Sequence, residues 1–167
     1  MKTVLATFIV LASLSSQISA ESSAPDRTAF VRDFYAAYKA KDAGRLAQFY
    51  NADATFVDPT FELNLKGPDQ IRDLLSKALA KYESLDWEIA HTTTAGDELI
   101  VEGKMIGKLG AKTVHVPFVS VFHFENGKIA AQRDMFDVLH FLVQLGVVPP
   151  PFGPKPSVAS SAAPKSS

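Results

Sequence analysis

Two aspartates set among apolar residues, and four histidines, are the side chains of this sequence whose types and spacing bear on chemistry. Asp58 ends the stretch "ATFVDP", between Phe56 and Phe61. Asp134 lies in "IAAQRDMFDVL", where the alternation of a strand puts Gln132 and Phe136 on its own face and Arg133 and Met135 on the other. Asp137 has the opposite parity, so it and Asp134 cannot both point inward unless the strand ends between them. A carboxylate turned toward an apolar interior is costly unless it is hydrogen-bonded or protonated. Desolvation raises its pKa, and a second acid within a few ångströms raises it further. A group of that kind serves as a general base or acid near neutral pH. Two plainer readings stand beside this one: Asp58 as the cap of the turn before Pro59, and Asp134 held by donors for structure alone.

The histidines do not make a metal site by spacing. His115 and His123 share a strand face but lie eight residues apart, roughly 26 Å at ~3.3 Å per residue, whereas ligands of one zinc each sit within about 2.1 Å of it. A Gly-x-Ser-x-Gly elbow, phosphate loops and dinucleotide fingerprints are all missing from the sequence. With no cysteine, thiol chemistry and cysteine metal sites are excluded, and stability rests on packing. Charge is balanced, 17 Lys and Arg against 18 Asp and Glu without a basic run, which argues against a nucleic-acid partner. Paired carboxylates remain.

The elements that must position them follow from periodicity. Residues 28–38 carry Phe30, Val31, Phe34, Tyr35 and Tyr38 at helical spacing behind Asp26 as a cap, and Asp42 can cap a second short helix. "ADATFVDPTF" reads as a strand ended by Pro59. "KGPDQIRDLLSKALAKY" has Pro68 at the first helical turn and Ile71, Leu74, Leu75, Ala78, Leu79 and Tyr82 on one face. Four strand-like runs follow, "LDWEIAHTTT", "ELIVEGKMIGKL", "KTVHVPFVSVFHF" and "KIAAQRDMFDVL", parted by turns of which Asn126-Gly127 is the clearest. Helices first and an antiparallel meander afterwards define an α+β fold with helices on one face of the sheet. In residues 114–124, Val114, Val116, Phe118, Ser120, Phe122 and Phe124 form the face suited to the helix-packed interior. His115, Pro117, Val119, Val121 and His123 form a face suited to a homodimer interface.

Both ends differ from this middle. Residues 1–20, with one lysine, an apolar run and small residues up to Ala20, have the layout of a secretory signal peptide, so export to the periplasm or beyond the cell is expected, with no membrane attachment once it is removed. Residues 147–167 hold six of the ten prolines with Ser and Ala, and read as a disordered tail. One domain, residues 26–146, lies between them.

Three stretches in this order, "RLAQFYNADATFVDP", "KGPDQIRDLL" and "VSVFHFENGKIAAQRDMFD", resemble the nuclear transport factor 2-like superfamily, and in particular its SnoaL-like branch with the related polyketide cyclases, ketosteroid isomerases and limonene epoxide hydrolases. The resemblance spans residues 28–145. It implies a cone: a strongly curved antiparallel sheet wrapped around N-terminal helices, enclosing an apolar pocket, commonly in dimers.

On that resemblance Asp58 falls on the proton-shuttling base of the isomerases and Asp134 on the water-activating aspartate of the epoxide hydrolases. The partners differ. The isomerase tyrosine falls at Phe34, and its protonated second aspartate, a documented example of a carboxylic acid kept neutral, falls near Ser120. The hydrolase Arg-x-Asp pair falls close to Val101 and Gly103, and its Tyr-x-Asn at Phe56 and Asp58. What this implies is a pocket with Asp134 and Asp58 as catalytic acid and base, walled by Phe34, Phe56, Trp87, Val101, Met105, Val116, Phe118, Ser120, Phe122 and Phe136. The implied function is acid–base catalysis without a cofactor, of isomerase, cyclase or epoxide-hydrolase type, on a small apolar carbonyl or epoxide. The alternatives are a non-catalytic binding module for a small apolar ligand, or a dimerisation or scaffold domain.

Overall fold

Asp26 accepts the backbone N–H of Thr28 at 2.8 Å, and the apolar spacing behind it winds into α1, Thr28–Lys39, burying Phe34, Tyr35, Ala37 and Tyr38. In this computed structural model, residues 26–151 and 153 are described. The leader-like residues 1–20 and most of the proline-rich segment lie outside them. The Asp42 side chain accepts from the Arg45 N–H at 2.8 Å and starts α2, Ala43–Ala47, the cap that its residue type favours.

The chain then enters β1, Tyr50–Asp58, and a 3₁₀ turn at Pro59–Phe61. It continues through β2, Leu63–Lys66, and α3, Gly67–Leu79, which buries Ile71, Leu75 and Leu79 along one face. Four long strands follow: β3, Ser84–Ala95; β4, Glu98–Leu109; β5, Lys112–Glu125; and β6, Lys128–Phe136. They form one six-stranded sheet in the order β2-β1-β6-β5-β4-β3. The α+β class holds, with one difference from an all-antiparallel sheet: β6 returns beside β1 in the parallel sense, pairing Phe56 with Gln132 and Val57 with Arg133. Local patterns carry hairpins. A pairing made only after some 70 intervening residues leaves no local mark.

Alternation in β5 sorts the two faces as its sequence implies. Val114, Val116, Phe118, Ser120, Phe122 and Phe124 are buried, while His115 and Pro117 are exposed and Val119, Val121 and His123 half-buried. Against the buried face α1 packs an aromatic core. Phe34 lies 5.1 Å from Phe30, 5.4 Å from Phe49 and 5.3 Å from Phe122, ring centre to ring centre. Tyr35 and Tyr38 carry the core on to Trp87, at 5.3 and 5.1 Å.

A fourth helix, α4, Val138–Gln144, replaces the end of what reads as a strand and fills the last residues of the domain. Asp137 ends the strand and caps this helix, its carboxylate accepting the His140 N–H at 2.9 Å. Gln144 then takes the part of a neighbouring strand for β5: its amide accepts from the His115 N–H at 2.8 Å and donates to the His115 carbonyl at 2.9 Å. The Pro117 carbonyl accepts from the Asp137 N–H on that same side. Proline is therefore tolerated inside a central strand, because its missing N–H faces the side where β6 has already ended.

Close approach fixes one glycine. Gly103 in β4 lies opposite the irregularity of β3 between Ile89 and His91, and a Cβ there would stand 2.3 Å from the Glu88 carbonyl oxygen and 3.0 Å from the Phe118 ring. Gly103→Ala is expected to cost roughly 1–3 kcal/mol by forcing the strands apart. A lowered urea midpoint measures it; an unchanged midpoint would mean β3 moves aside freely.

Candidate active site

Asp58 and Asp134 each stand one residue beyond the parallel pair Val57 and Arg133, so neighbouring strands bring them side by side on one face. Both are buried, at 2% and 4% exposure. Both border a cavity of about 380 Å³. Leu74, Leu75, Ala78 and Leu79 of α3 form one of its sides, Trp87 and Met105 another, and Val138 with Phe141 brings α4 to it. This lining is almost wholly apolar, which makes the two carboxyls its chemical feature.

Asp58 has two tasks. One oxygen accepts the Thr60 N–H at 2.9 Å, capping the turn that starts at Pro59, and the carboxyl also borders the cavity. Burial pushes its pKa up, while the backbone N–H groups of Thr60 and Phe61 oppose the rise. Asp134 has no backbone donors of that kind. Burial, first, pushes its carboxyl up to about 6; the Gln132 amide and the Ser120 hydroxyl pull it back, and the charge of Asp58 pushes it up again. Neither acid forms a salt bridge among the described residues.

Behind Asp134 runs a buried polar chain. The Gln132 Nε2 donates to Asp134 Oδ1 at 2.9 Å, and the Tyr50 hydroxyl donates to the Gln132 Oε1. Tyr50 and Gln132 are each 2% exposed. Burial raises the pKa of Tyr35, Tyr38 and Tyr50 well above the ordinary phenol value, so all three stay protonated. The Tyr35 hydroxyl and the Trp87 indole N–H are buried without a hydrogen-bond partner among the described residues.

Of the ten residues expected on the pocket wall, the structure sets Phe56, Trp87, Met105, Val116 and Phe136 on the cavity. Phe34, Val101, Phe118, Ser120 and Phe122 lie off it, in the packed interior. The strand residues of both groups share the inward parity of their strands. What separates them is α1, whose Phe34 fills one end of the inner face against Phe122, leaving the cavity to the other end, beneath α3. Ser120 pairs with Asp134 across β5 and β6 and sits behind the acid. Sequence reasoning missed Gln132 and Tyr50 as partners of Asp134. The available signal was Gln132 itself, a second polar residue on the inward parity of β6. It also missed the α3 and α4 side chains, which face the acids only in three dimensions.

An α+β fold whose sheet carries helices over an acid-bearing apolar cavity is the nuclear transport factor 2-like architecture. The chain belongs to the SnoaL-like domain family, whose model matches residues 31–132. Among solved structures, it is similar to a candidate SnoaL-like polyketide cyclase from Shewanella denitrificans OS-217 at 21% identity, covering 74% of this chain and 99% of the other with a TM-score of 0.66. A hypothetical protein of ketosteroid isomerase-like fold from Catenulispora acidiphila, solved in complex with trimethylamine, matches at 23% identity over 70% and 91%, TM-score 0.65. An LEH-like epoxide hydrolase from M. tuberculosis matches at 20% identity over 70% and 86%, TM-score 0.60. At these identities the likeness shows the fold alone. No curated protein matches the chain.

Proposed function

We propose that this protein is an exported acid–base catalyst that moves a proton next to the carbonyl of a small apolar substrate. One observation carries this reading: the Asp134 carboxyl borders an apolar cavity, lacks a cationic partner among the described residues, and is pushed by burial to about 6. At pH 7 such a carboxyl is about nine-tenths ionised, yet its conjugate acid is strong enough to return a proton, the balance that general acid–base catalysis requires. Asp58 beside it keeps Asp134 basic through its charge and is close enough to hold a substrate hydroxyl. Proton transfer of this kind requires no redox or group-carrying cofactor. Epoxide opening fits less well, because the positions of the hydrolase's Arg-x-Asp pair are Val101, fully buried, and Gly103, pressed against Glu88. Export is supported by the leader-like residues 1–20, so protein recovered outside the cytoplasm is expected to lack their mass; full-length protein there would contradict it.

Native mass spectrometry of the purified protein, followed by incubation of the co-purified compound in D₂O, tests the catalytic reading. Deuterium entering carbon next to a carbonyl, with a loss of at least tenfold in rate in Asp58→Asn, is the expected result. A bound compound that wild type never exchanges or converts would leave a binding module in place of an enzyme.

A further inference from the structure

We propose that Tyr50 and Gln132 are positioning residues that set the charge state of Asp134 through one of its oxygens. The proposal rests on Asp134 being the acid–base group of the cavity. Its basis is the direction of two hydrogen bonds among three side chains, each 4% exposed or less. A side-chain amide has a donor end and an acceptor end, and Gln132 presents the donor, Nε2, to Asp134 Oδ1 at 2.9 Å. An ionised carboxylate only accepts, so this orientation favours the ionised form; the reversed amide would accept from a protonated carboxyl and favour the acid.

Tyr50 decides between the two. Its hydroxyl donates to the Gln132 Oε1, the one acceptor paired with it among the described residues. Reversing the amide would leave the phenol proton buried without an acceptor, at a cost of ~1–3 kcal/mol. The phenol stays protonated because burial holds its pKa far above neutrality. Tyr50 comes from the start of β1, 82 residues from Gln132 in sequence, so local structure does not require the pairing.

The groups facing Asp134 are few. Asp58 of β1 raises it. Tyr35 and Tyr38 of α1 are neutral and buried, with Tyr38 also beside Gln132. Ser120 of β5 is its cross-strand neighbour. Lys81 and Tyr82, following α3, border the same cavity. Of the two side chains that favour its ionised form, Gln132 and Ser120, the Gln132 amide is the one whose direction Tyr50 holds.

The test follows the carboxyl carbon of Asp134 by NMR in protein labelled at the aspartate side-chain carboxyls, from pH 4 to 9, in wild type, Tyr50→Phe, Gln132→Met and the double variant. Tyr50→Phe is expected to raise the titration midpoint by roughly one pH unit, the scale of one hydrogen bond to a charged group. Gln132→Met should raise it at least as far. Because Tyr50 acts through Gln132, the double variant should match Gln132→Met alone. An unmoved midpoint in Tyr50→Phe, or shifts that add in the double variant, would overturn the proposal, as would a loss of stability with the midpoint unchanged. If Gln132→Met does not fold, Tyr50→Phe decides. Titration is read without substrate. Unmoved midpoints with turnover intact therefore overturn this proposal alone, and shifted midpoints without any turnover overturn the catalytic reading alone.

Discussion

Asp134→Asn is expected to lower turnover by roughly 10²–10⁴, the usual contribution of a positioned acid–base group, and at the same time to make the protein more stable at pH 7. The second effect follows from the sign of the pKa shift. The Asp134 carboxyl titrates at about 6 in the folded protein against an ordinary value of 3.8, so between those values the native state binds a proton that the unfolded chain has released. Its contribution is fully present below about pH 4. It is lost as pH rises toward 6, and above that the buried charge is a constant penalty. The interval of about two pH units corresponds to about 3 kcal/mol at 1.36 kcal/mol per unit. Asparagine keeps an oxygen to accept from the Gln132 Nε2 and removes the charge. Urea unfolding of both proteins at pH 4 and pH 7 should show the variant ahead by about 1–3 kcal/mol at pH 7 and little changed at pH 4. The slope common to both proteins belongs to Asp58, raised in the same direction, and, with the opposite sign, to the exposed carboxyls of Asp26, Asp33, Glu83 and Asp86, which are lowered. A variant less stable than wild type at pH 7 would mean that the carboxylate is satisfied in the fold and is structural.

Phe34→Ala should have the largest effect on stability and little on the cavity. Its ring is 1% exposed and meets those of Phe30, Tyr35, Tyr38, Phe49 and Phe122 at centre distances of 5.1 to 5.5 Å. Removing it takes away a fully buried aromatic side chain and leaves a hole that α1 cannot close, a change that costs about 3–5 kcal/mol. Phe61, which borders the cavity and is 51% exposed, should cost under about 1 kcal/mol when cut to alanine, while weakening binding of any apolar ligand. Thermal unfolding and ligand titration of the two variants separate packing from pocket. If Phe34→Ala weakened binding more than it weakened the fold, Phe34 would belong to the wall after all.

That contrast marks the limit of what the sequence discloses. Strand alternation is a local property, and it selects Asp134 over Arg133 and Met135 as the inward residue of β6. Helical periodicity is local too and marks α1 and α3, while the Asp42 cap marks the start of α2. Whether an inward residue faces packed core or open cavity depends on which helix covers it, so Phe34 and Phe122 fall on one side of that line and Phe56 and Phe136 on the other. The helix α4 escapes for a different reason. "VLHFLVQ" is a short apolar run with no buried residue, and such runs are ambiguous between strand and helix by period alone. The pairing of β1 with β6, which brings the two acids together, is set by the path of the whole chain.

The dependence of turnover on pH tests the central claim most directly. With Asp134 acting as the base, the rate should rise as its carboxyl ionises, with a midpoint near pH 6 and a plateau above pH 7, and Asp134→Asn should show no such rise at any pH. A rate that is flat from pH 4.5 to 8 in wild type, or an Asp134→Asn variant that keeps both the rate and its pH dependence, would contradict the assignment.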